Sequence, residues 1–425
     1  MKLKIKAPPE WGITPIPENL RILGIFDYFV LWFSLGVGLL VFQAGTFLVP
    51  GLSLFEALIA SLVGSIIGSL FLSLAGVIGS RYGIPTMVSL RATFGRIGTY
   101  LPTVLNVIQL VGWTAFEFMV MGNAATVISG NFLGEFTTVF WIVIVAIWCW
   151  LMAVFGPLAI IRQYLEKISV WLVLISTIWI SAVIFSNPNV FQQLWVKGEG
   201  TIPFLYALDL VIAMPISWMP LVSDYNRFAI KPSKSFLGTF LGYTVANTWF
   251  YGLGSALVIA TGQSDVVKAI SSIFFGFLAL LFILVDETDN AFADIYSTAV
   301  SVQNIFPKLK QWKTSTIVTI IGIILAAIVP LAEYEYFLLM IGAFFVPLFG
   351  VLISDYFIVI RGHYEVDDFY EKAKLIRLDA IVSWIIGAIV YFLVVNFIPE
   401  IGSSLPSLFS AILIHYFLAK LTGGR

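Results

Sequence analysis

The sequence predicts an all-α polytopic membrane protein of about twelve transmembrane helices, on two observations. Of 425 residues, 60% are hydrophobic and 11% charged, whereas a soluble domain carries about 45–50% and about 25%. The apolar residues also fall in solid runs of about 20, the length that crosses a bilayer core of about 30 Å. A spanning barrel would instead show segments of about ten residues alternating in polarity.

The runs, bounded by Gly, Pro and charge clusters, cover 23-49, 54-79, 99-129, 137-161, 164-186, 203-229, 237-261, 270-305, 315-332, 336-360, 379-398 and 404-421, here spans one to twelve. Lys and Arg collect in cytoplasmic loops. With the N-terminus inside, 21 of the 23 basic residues fall on the cytoplasmic side, among them Lys2, Lys4, Lys6, Arg162 and Arg425, and only Lys197 and Lys268 do not. A wrong span count would scramble that sorting. It predicts an even number of spans in the plasma membrane with both termini cytoplasmic. Residues 1-22 mix Pro, Glu and Lys without an apolar core, and read as a cytoplasmic tail rather than a signal peptide.

The same composition excludes other classes. No basic tract supplies phosphate neutralisation for nucleic acid, and the single cysteine, Cys149, lies in an apolar run. His363 and His415 fall at or beyond helix ends, and no HExxH, GxSxG or nucleotide-binding loop appears, which disfavours an enzyme.

Two spans carry breaking residues at mid-depth. Span one contains Ser34-Leu35-Gly36-Val37-Gly38, and span six contains Met214-Pro215-Ile216-Ser217-Trp218-Met219-Pro220. Gly does not hold helical dihedrals and Pro lacks an amide proton, so both runs can open backbone groups, which the bilayer tolerates only where they line a cavity. Five spans separate the two. Transporters built from two inverted five-helix repeats break the first helix of each half and bind substrate and ion there.

Acids repeat the interval. Glu117 lies mid-way along span three, and span eight carries Asp286, Glu287, Asp289 and Asp294. Each carboxylate at bilayer depth costs about 2.5–3.5 kcal/mol, so span eight must face water, a cation or a proton. Asn106, Gln109, Trp113 and Glu117 share one helical face, as do Glu287, Asn290 and Asp294, while Asp286 and Asp289 turn toward a neighbouring face. Asn106 and Gln109 read as interhelical hydrogen-bonding groups. Trp113 and Trp218 lie near mid-depth, away from the interfacial belts, where an indole face can stack on a planar ring. Asp224 and Arg227 read as an i, i+3 pair at the inner end of span six, and Asp209 stays ambiguous.

These residues, with Trp32-Phe33, Gly112-Trp113-Thr114-Ala115-Phe116-Glu117, Ser217-Trp218, Ser223-Asp224-Tyr225-Asn226-Arg227, Phe306-Pro307 and Val346-Pro347 through Ser354-Asp355-Tyr356-Phe357, resemble the nucleobase:cation symporter-1 family in order and spacing. Members of that family carry cytosine, purines, allantoin, hydantoins and pyrimidine precursors of thiamine. The run from Met214 to Tyr225 looks most like the hydroxymethylpyrimidine and cytosine permeases.

The resemblance implies a LeuT-type fold, with inverted repeats at 23-186 and 203-360 and two further helices at 379-421. It implies a cation-coupled symporter holding a heterocycle between Trp113 and Trp218, with contacts from Glu117, Asp294, Asn290, Gly38 and Ser217. It places a cation at carbonyls near Ser34, Val37 and Val285 and at the side chains of Thr288 and Asp289, with no other cofactor. The chain departs from the family at Glu117, where relatives often have Gln, at Asp294, where some have Asn, and at Asp289, where sodium-type members have a hydroxyl. A carboxylate at 289 suits Na⁺, a hard cation, and equally suits a proton. Two rivals remain: an uncoupled facilitator, and an amino-acid carrier of the same fold, whose substrate carboxylate the acids would repel.

Overall fold

The computed structural model describes residues 11–330 and 333–423, leaving aside the side chains of Arg162, Gln163 and Asn189. Lys2, Lys4, Lys6, the first ten residues of the expected tail and Arg425 lie outside the described residues. Nine helices among those described are long and apolar enough to cross a membrane, and the bent pair Ile25–Ser34 and Leu39–Thr46 adds a tenth. Spans seven and eight, Pro232–Thr261 and Gly276–Ile305, are 30 residues each, about 45 Å at 1.5 Å per residue. Both are less apolar because their polar groups turn inward: Asn247, Asp286, Glu287 and Asp289 are fully buried.

The helices pack in two sets. Span one lies on span seven, and spans two (Leu54–Tyr82), six and seven lie on one another. Spans three (Tyr100–Ser129), four (Thr137–Phe155), eight and nine (Gln311–Ile328) form the second set, with span five against span eight. Small residues let the first set approach closely. A Cβ on Gly64 or Gly68 would lie 2.7 Å from Val211 or 2.3 Å from Pro215 of span six.

The two expected breaks differ. Span one stops at Ser34, resumes at Leu39 and bends by 60°. Span six holds together over Phe204–Asn226, its break reduced to a 3₁₀ turn at Met219–Leu221. The Val211 carbonyl, which Pro215 leaves without its amide partner, is reached by Asn247 Nδ2 at 3.5 Å, and Asn106 Nδ2 reaches the Pro220 carbonyl at 3.2 Å.

Spans eleven (Leu378–Phe397) and twelve (Ser404–Leu421) pack on span ten, Tyr334–Val359. Asp209 accepts from the amides of Ser403 at 2.9 Å and Ser404 at 2.8 Å, capping the start of span twelve. His415 is not at a helix end: it sits inside span twelve, fully buried, with Nε2 3.1 Å from Asp355 Oδ1. The helix runs on past it because Asp355 supplies a partner inside the protein. Asp355 also accepts from the Tyr364 hydroxyl and from Arg377 Nη1 at 3.1 and 3.0 Å. Burial alone would lower the Arg377 guanidinium, but Asp355 and Asp379 beside it hold it above the usual arginine value, a permanent cation.

The chain ahead of span one is not a loose tail. Ile16 is buried and its amide donates to the Gly83 carbonyl at 2.8 Å. Arg227 Nη1 donates to the Gly12 carbonyl and Nη2 to the Tyr296 hydroxyl, each at 2.7 Å. The expected Asp224–Arg227 pair takes another form: the Asp224 carboxylate accepts from the Thr86 amide at 2.9 Å, at the turn after span two, while Arg227 Nε donates to the Asp224 backbone carbonyl at 3.2 Å.

Candidate functional site

The break in span one releases backbone groups, and span eight answers them. The Leu39 amide, at the start of the second half-helix, donates to Glu287 Oε2 at 2.8 Å, an acid at a helix N-terminus where the dipole favours it. Asn290 Nδ2 donates to the Val37 carbonyl at 3.0 Å. Gly38 sits against both side chains, and a Cβ there would lie 3.0 Å from Asn290 Nδ2 and 3.1 Å from Glu287 Oε1. Gly38→Ala is therefore expected to overpack this junction by about 1–3 kcal/mol, read as a lower melting temperature in detergent and weaker ligand binding. No change in either would mean that the junction yields freely.

Trp113, Glu117, Trp218, Asp294, Asn290, Gly38 and Ser217 all line one tight cavity, with room for little more than a water molecule between its walls. Leu35, Leu40, Val41, Met214 and Leu221 complete it. The two indoles come from spans three and six, and each is fixed by rings at steep angles. Trp113 meets Tyr334 at 5.8 Å and Phe337 at 5.3 Å, and Trp218 meets Trp32 at 6.1 Å. The Ser217 hydroxyl donates to the Met214 carbonyl at 2.7 Å. Around the cavity, Glu117 Oε2, Glu287 Oε1 and Asn290 Oδ1 are buried oxygens that no N–H or hydroxyl group reaches, the Glu117 and Glu287 carboxyls lying against each other. Each such group costs about 1–3 kcal/mol, so the site is built for a guest that brings donors.

Asn106 and Gln109, on the same face of span three, do not line the cavity. Asn106 Nδ2 donates to Ser301 Oγ at 2.9 Å and Gln109 Nε2 to Asn106 Oδ1 at 2.8 Å, so both tie helices together.

The five residues expected at a cation, Ser34, Val37, Val285, Thr288 and Asp289, lie where spans one and eight meet. The Val37 carbonyl is engaged by Asn290, and that of Val285 accepts from the Tyr164 hydroxyl at 2.6 Å and from Thr288 Oγ1 at 2.8 Å. The Ser34 hydroxyl donates to Asp286 Oδ1 at 2.7 Å, and the Ser169 hydroxyl donates to the same oxygen. Both Asp289 oxygens are buried and unpartnered. Among the described residues no three His, Cys, Asp or Glu side chains converge as a metal-holding group. Asp286, Glu287, Ser169 and Tyr164 were not among the expected site residues. The two acids were visible in the sequence as membrane-embedded charge, but Ser169 and Tyr164 carried no signal, because a hydroxyl in an apolar span is ordinary.

Comparison with known proteins adds the following. The family described as "Permease for cytosine/purines, uracil, thiamine, allantoin" matches residues 15–419. The chain is 26% identical to the cytosine permease of Escherichia coli (strain K12) over 83% of this chain and 81% of that one. It is 23% identical to the hydantoin permease of Microbacterium maritypicum over 93% and 85%. Its fold matches the closed structure of Mhp1, a nucleobase-cation-symport-1 family transporter with bromovinylhydantoin bound, with a TM-score of 0.84 and 18% identity over 97% of this chain and 96% of that one. The likeness shows a LeuT-type fold in a multi-pass membrane protein.

Proposed function

The chain belongs to the family of permeases for cytosine and purines, uracil, thiamine and allantoin, and from that membership we propose that it is a secondary active transporter, coupling uptake of a nucleobase-like heterocycle to Na⁺ or H⁺. The observation that carries the reading is the pairing of two mid-depth indoles with unpartnered buried acceptors around one cavity. A flat ring edged with amine and ring N–H donors, such as cytosine or hydroxymethylpyrimidine, meets both requirements. An amino-acid carboxylate would meet Glu117, Glu287 and Asp294 and be repelled.

Movement follows from the packing. Spans one, two, six and seven rock as a unit against spans three, four, eight and nine, opening the cavity alternately to either side. The repeats run over 23-186 and 203-360, and both termini face the cytoplasm of a cell whose plasma membrane holds the protein. Uptake of radiolabelled cytosine, hydroxymethylpyrimidine and uracil into proteoliposomes under separate Na⁺ and H⁺ gradients tests this. Accumulation above equilibrium under one gradient supports a symporter; equilibration alone indicates a facilitator, and no uptake of any heterocycle sinks the reading.

Glu117→Gln replaces one acceptor oxygen by a donor and removes the charge. A hydrogen bond to a charged group contributes about 1.5–3 kcal/mol. The variant is expected to bind cytosine about 10–100-fold more weakly while keeping its melting temperature, as measured by isothermal titration in detergent. Undiminished affinity would remove Glu117 from the contact set.

A further inference from the structure

The turn that joins spans eight and nine runs from Phe306 to Lys313 and mixes two kinds of exposed side chain. Lys308, Lys310 and Lys313 are all exposed. Between them lie Phe306, Leu309 and Trp312, which are 58%, 44% and 45% exposed. No Asp or Glu occurs in the sequence between Asp294 and Glu333, and among the described residues none of the three lysines forms an ion pair. The loop between spans ten and eleven differs, because it carries its own acids and Lys372 Nζ lies 2.6 Å from Glu365 Oε2.

Helix length sets the depth of this turn. Span nine, Gln311–Ile328, has 18 residues, about 27 Å at 1.5 Å per residue. That is barely the thickness of a bilayer core of about 30 Å, so the first turn of the span sits at the edge of the core. Trp312 and Lys313 belong to it. Indoles collect at this depth, and a lysine stem lies along apolar surface while its ammonium stays in the polar layer. Lys313 Nζ is 5.7 Å from the centre of the Trp312 ring, within the range of a cation–π contact.

The turn is also firmly held. Gln303 Nε2 donates to the Leu309 carbonyl at 2.7 Å, which closes it. Asn304 Nδ2 donates to Thr99 Oγ1 at 3.1 Å and to Thr103 Oγ1 at 2.9 Å, tying the end of span eight to the start of span three. Arg91 Nε donates to Asn304 Oδ1 at 2.8 Å from the segment after span two. The lysines therefore stand on a fixed backbone, which lowers the ordering cost of anything they bind. Three uncompensated cations among three apolar side chains suit neither water nor hydrocarbon alone. They suit a leaflet surface with negative headgroups, where phosphate oxygens meet the ammonium groups and the apolar side chains enter the acyl layer.

We propose that Lys308, Lys310 and Lys313 bind the headgroup phosphate of an anionic phospholipid in the inner leaflet, with Phe306, Leu309 and Trp312 seated among its acyl chains. This rests on the reading of the chain as a transporter with both termini cytoplasmic, which puts the turn on the inner side. Spans eight and nine belong to the set against which spans one, two, six and seven rock. The lipid anchors that set at the inner surface, and the rocking set carries the motion.

The test titrates phosphatidylglycerol, and separately phosphatidylcholine with the same acyl chains, into the purified full-length protein and counts retained lipids by native mass spectrometry. Wild type is expected to retain phosphatidylglycerol at lower concentration than phosphatidylcholine. Lys308→Gln, Lys310→Gln and Lys313→Gln combined are expected to weaken binding of the first phosphatidylglycerol about 10–100-fold and to leave phosphatidylcholine unchanged. Lys231→Gln with Lys234→Gln, both exposed at the start of span seven, is expected to bind as wild type does. All five lysines are exposed, and melting temperatures report that the variants are folded. A wild type with no preference for phosphatidylglycerol overturns the proposal. So does an equal loss in the Lys231 and Lys234 variant, which would assign the attraction to the inner face at large. Displacement of the lipid by inorganic phosphate at the same concentration would assign the turn to a free anion and likewise overturn it. No heterocycle or ion gradient enters the assay, so a failed uptake experiment removes the transport reading and leaves this result standing.

Discussion

Replacing Trp113 and Trp218 together by Leu is expected to abolish heterocycle binding in a protein that still folds. Leu keeps much of the apolar volume but has no flat face. Stacking of one base on one aromatic side chain contributes about 1–3 kcal/mol, so losing both walls removes about 2–6 kcal/mol, a factor between about 30 and 10⁴ in affinity. The single variants should each lose part of this, because the indoles line one cavity from two different spans, three and six. Titration of cytosine into detergent-solubilised protein measures the effect, and Trp171→Leu, more than half exposed on the lipid-facing side of span five, is the control. Equal affinity in the double variant and wild type would show that both indoles only pack.

Asp355→Ala is expected to lower the stability of the folded protein by about 1–3 kcal/mol, the cost of leaving buried polar groups of Arg377 and His415 without their acceptor. Arg377, 8% exposed, and His415, fully buried, both lean on this one carboxylate. Asp379 still holds Arg377 Nη2 at 2.6 Å, so the Nη1 side carries the loss. The measurement is thermal unfolding in detergent, and the accompanying result is ligand affinity close to wild type, because Asp355 does not line the cavity. An unchanged melting temperature would mean that the remaining groups rearrange around water.

The cavity was more legible in the sequence than the network around Asp355. Trp113 and Glu117 are four residues apart on one helix, so their shared face follows from helical geometry alone. Gly38 and the acids of span eight stood out because the bilayer penalises open backbone and buried charge, leaving few explanations for them. His415 looked inert for the opposite reason: its value depends on Asp355, 60 residues away, and on Arg377 in the segment between. Arg227 is a similar case, since i, i+3 spacing suggested the Asp224 carboxylate while its acceptors are the carbonyls of Asp224 and Gly12 and the Tyr296 hydroxyl.

The amino-acid sequence by itself determined that the chain crosses a membrane many times, that spans one and six are weakened at mid-depth, and that spans three and eight carry the embedded polar groups. These are properties of single segments, set by hydropathy, by Gly and Pro, and by helical periodicity. Only the tertiary structure decided which embedded acid meets which hydroxyl. Asp286, expected to face a neighbour, joins Ser34 across 252 positions and Ser169 across 117. The rotation of span eight about its own axis and the π-helical stretch Ile161–Ser169 set those contacts, and each is fixed by packing among several helices at once rather than by any one of them.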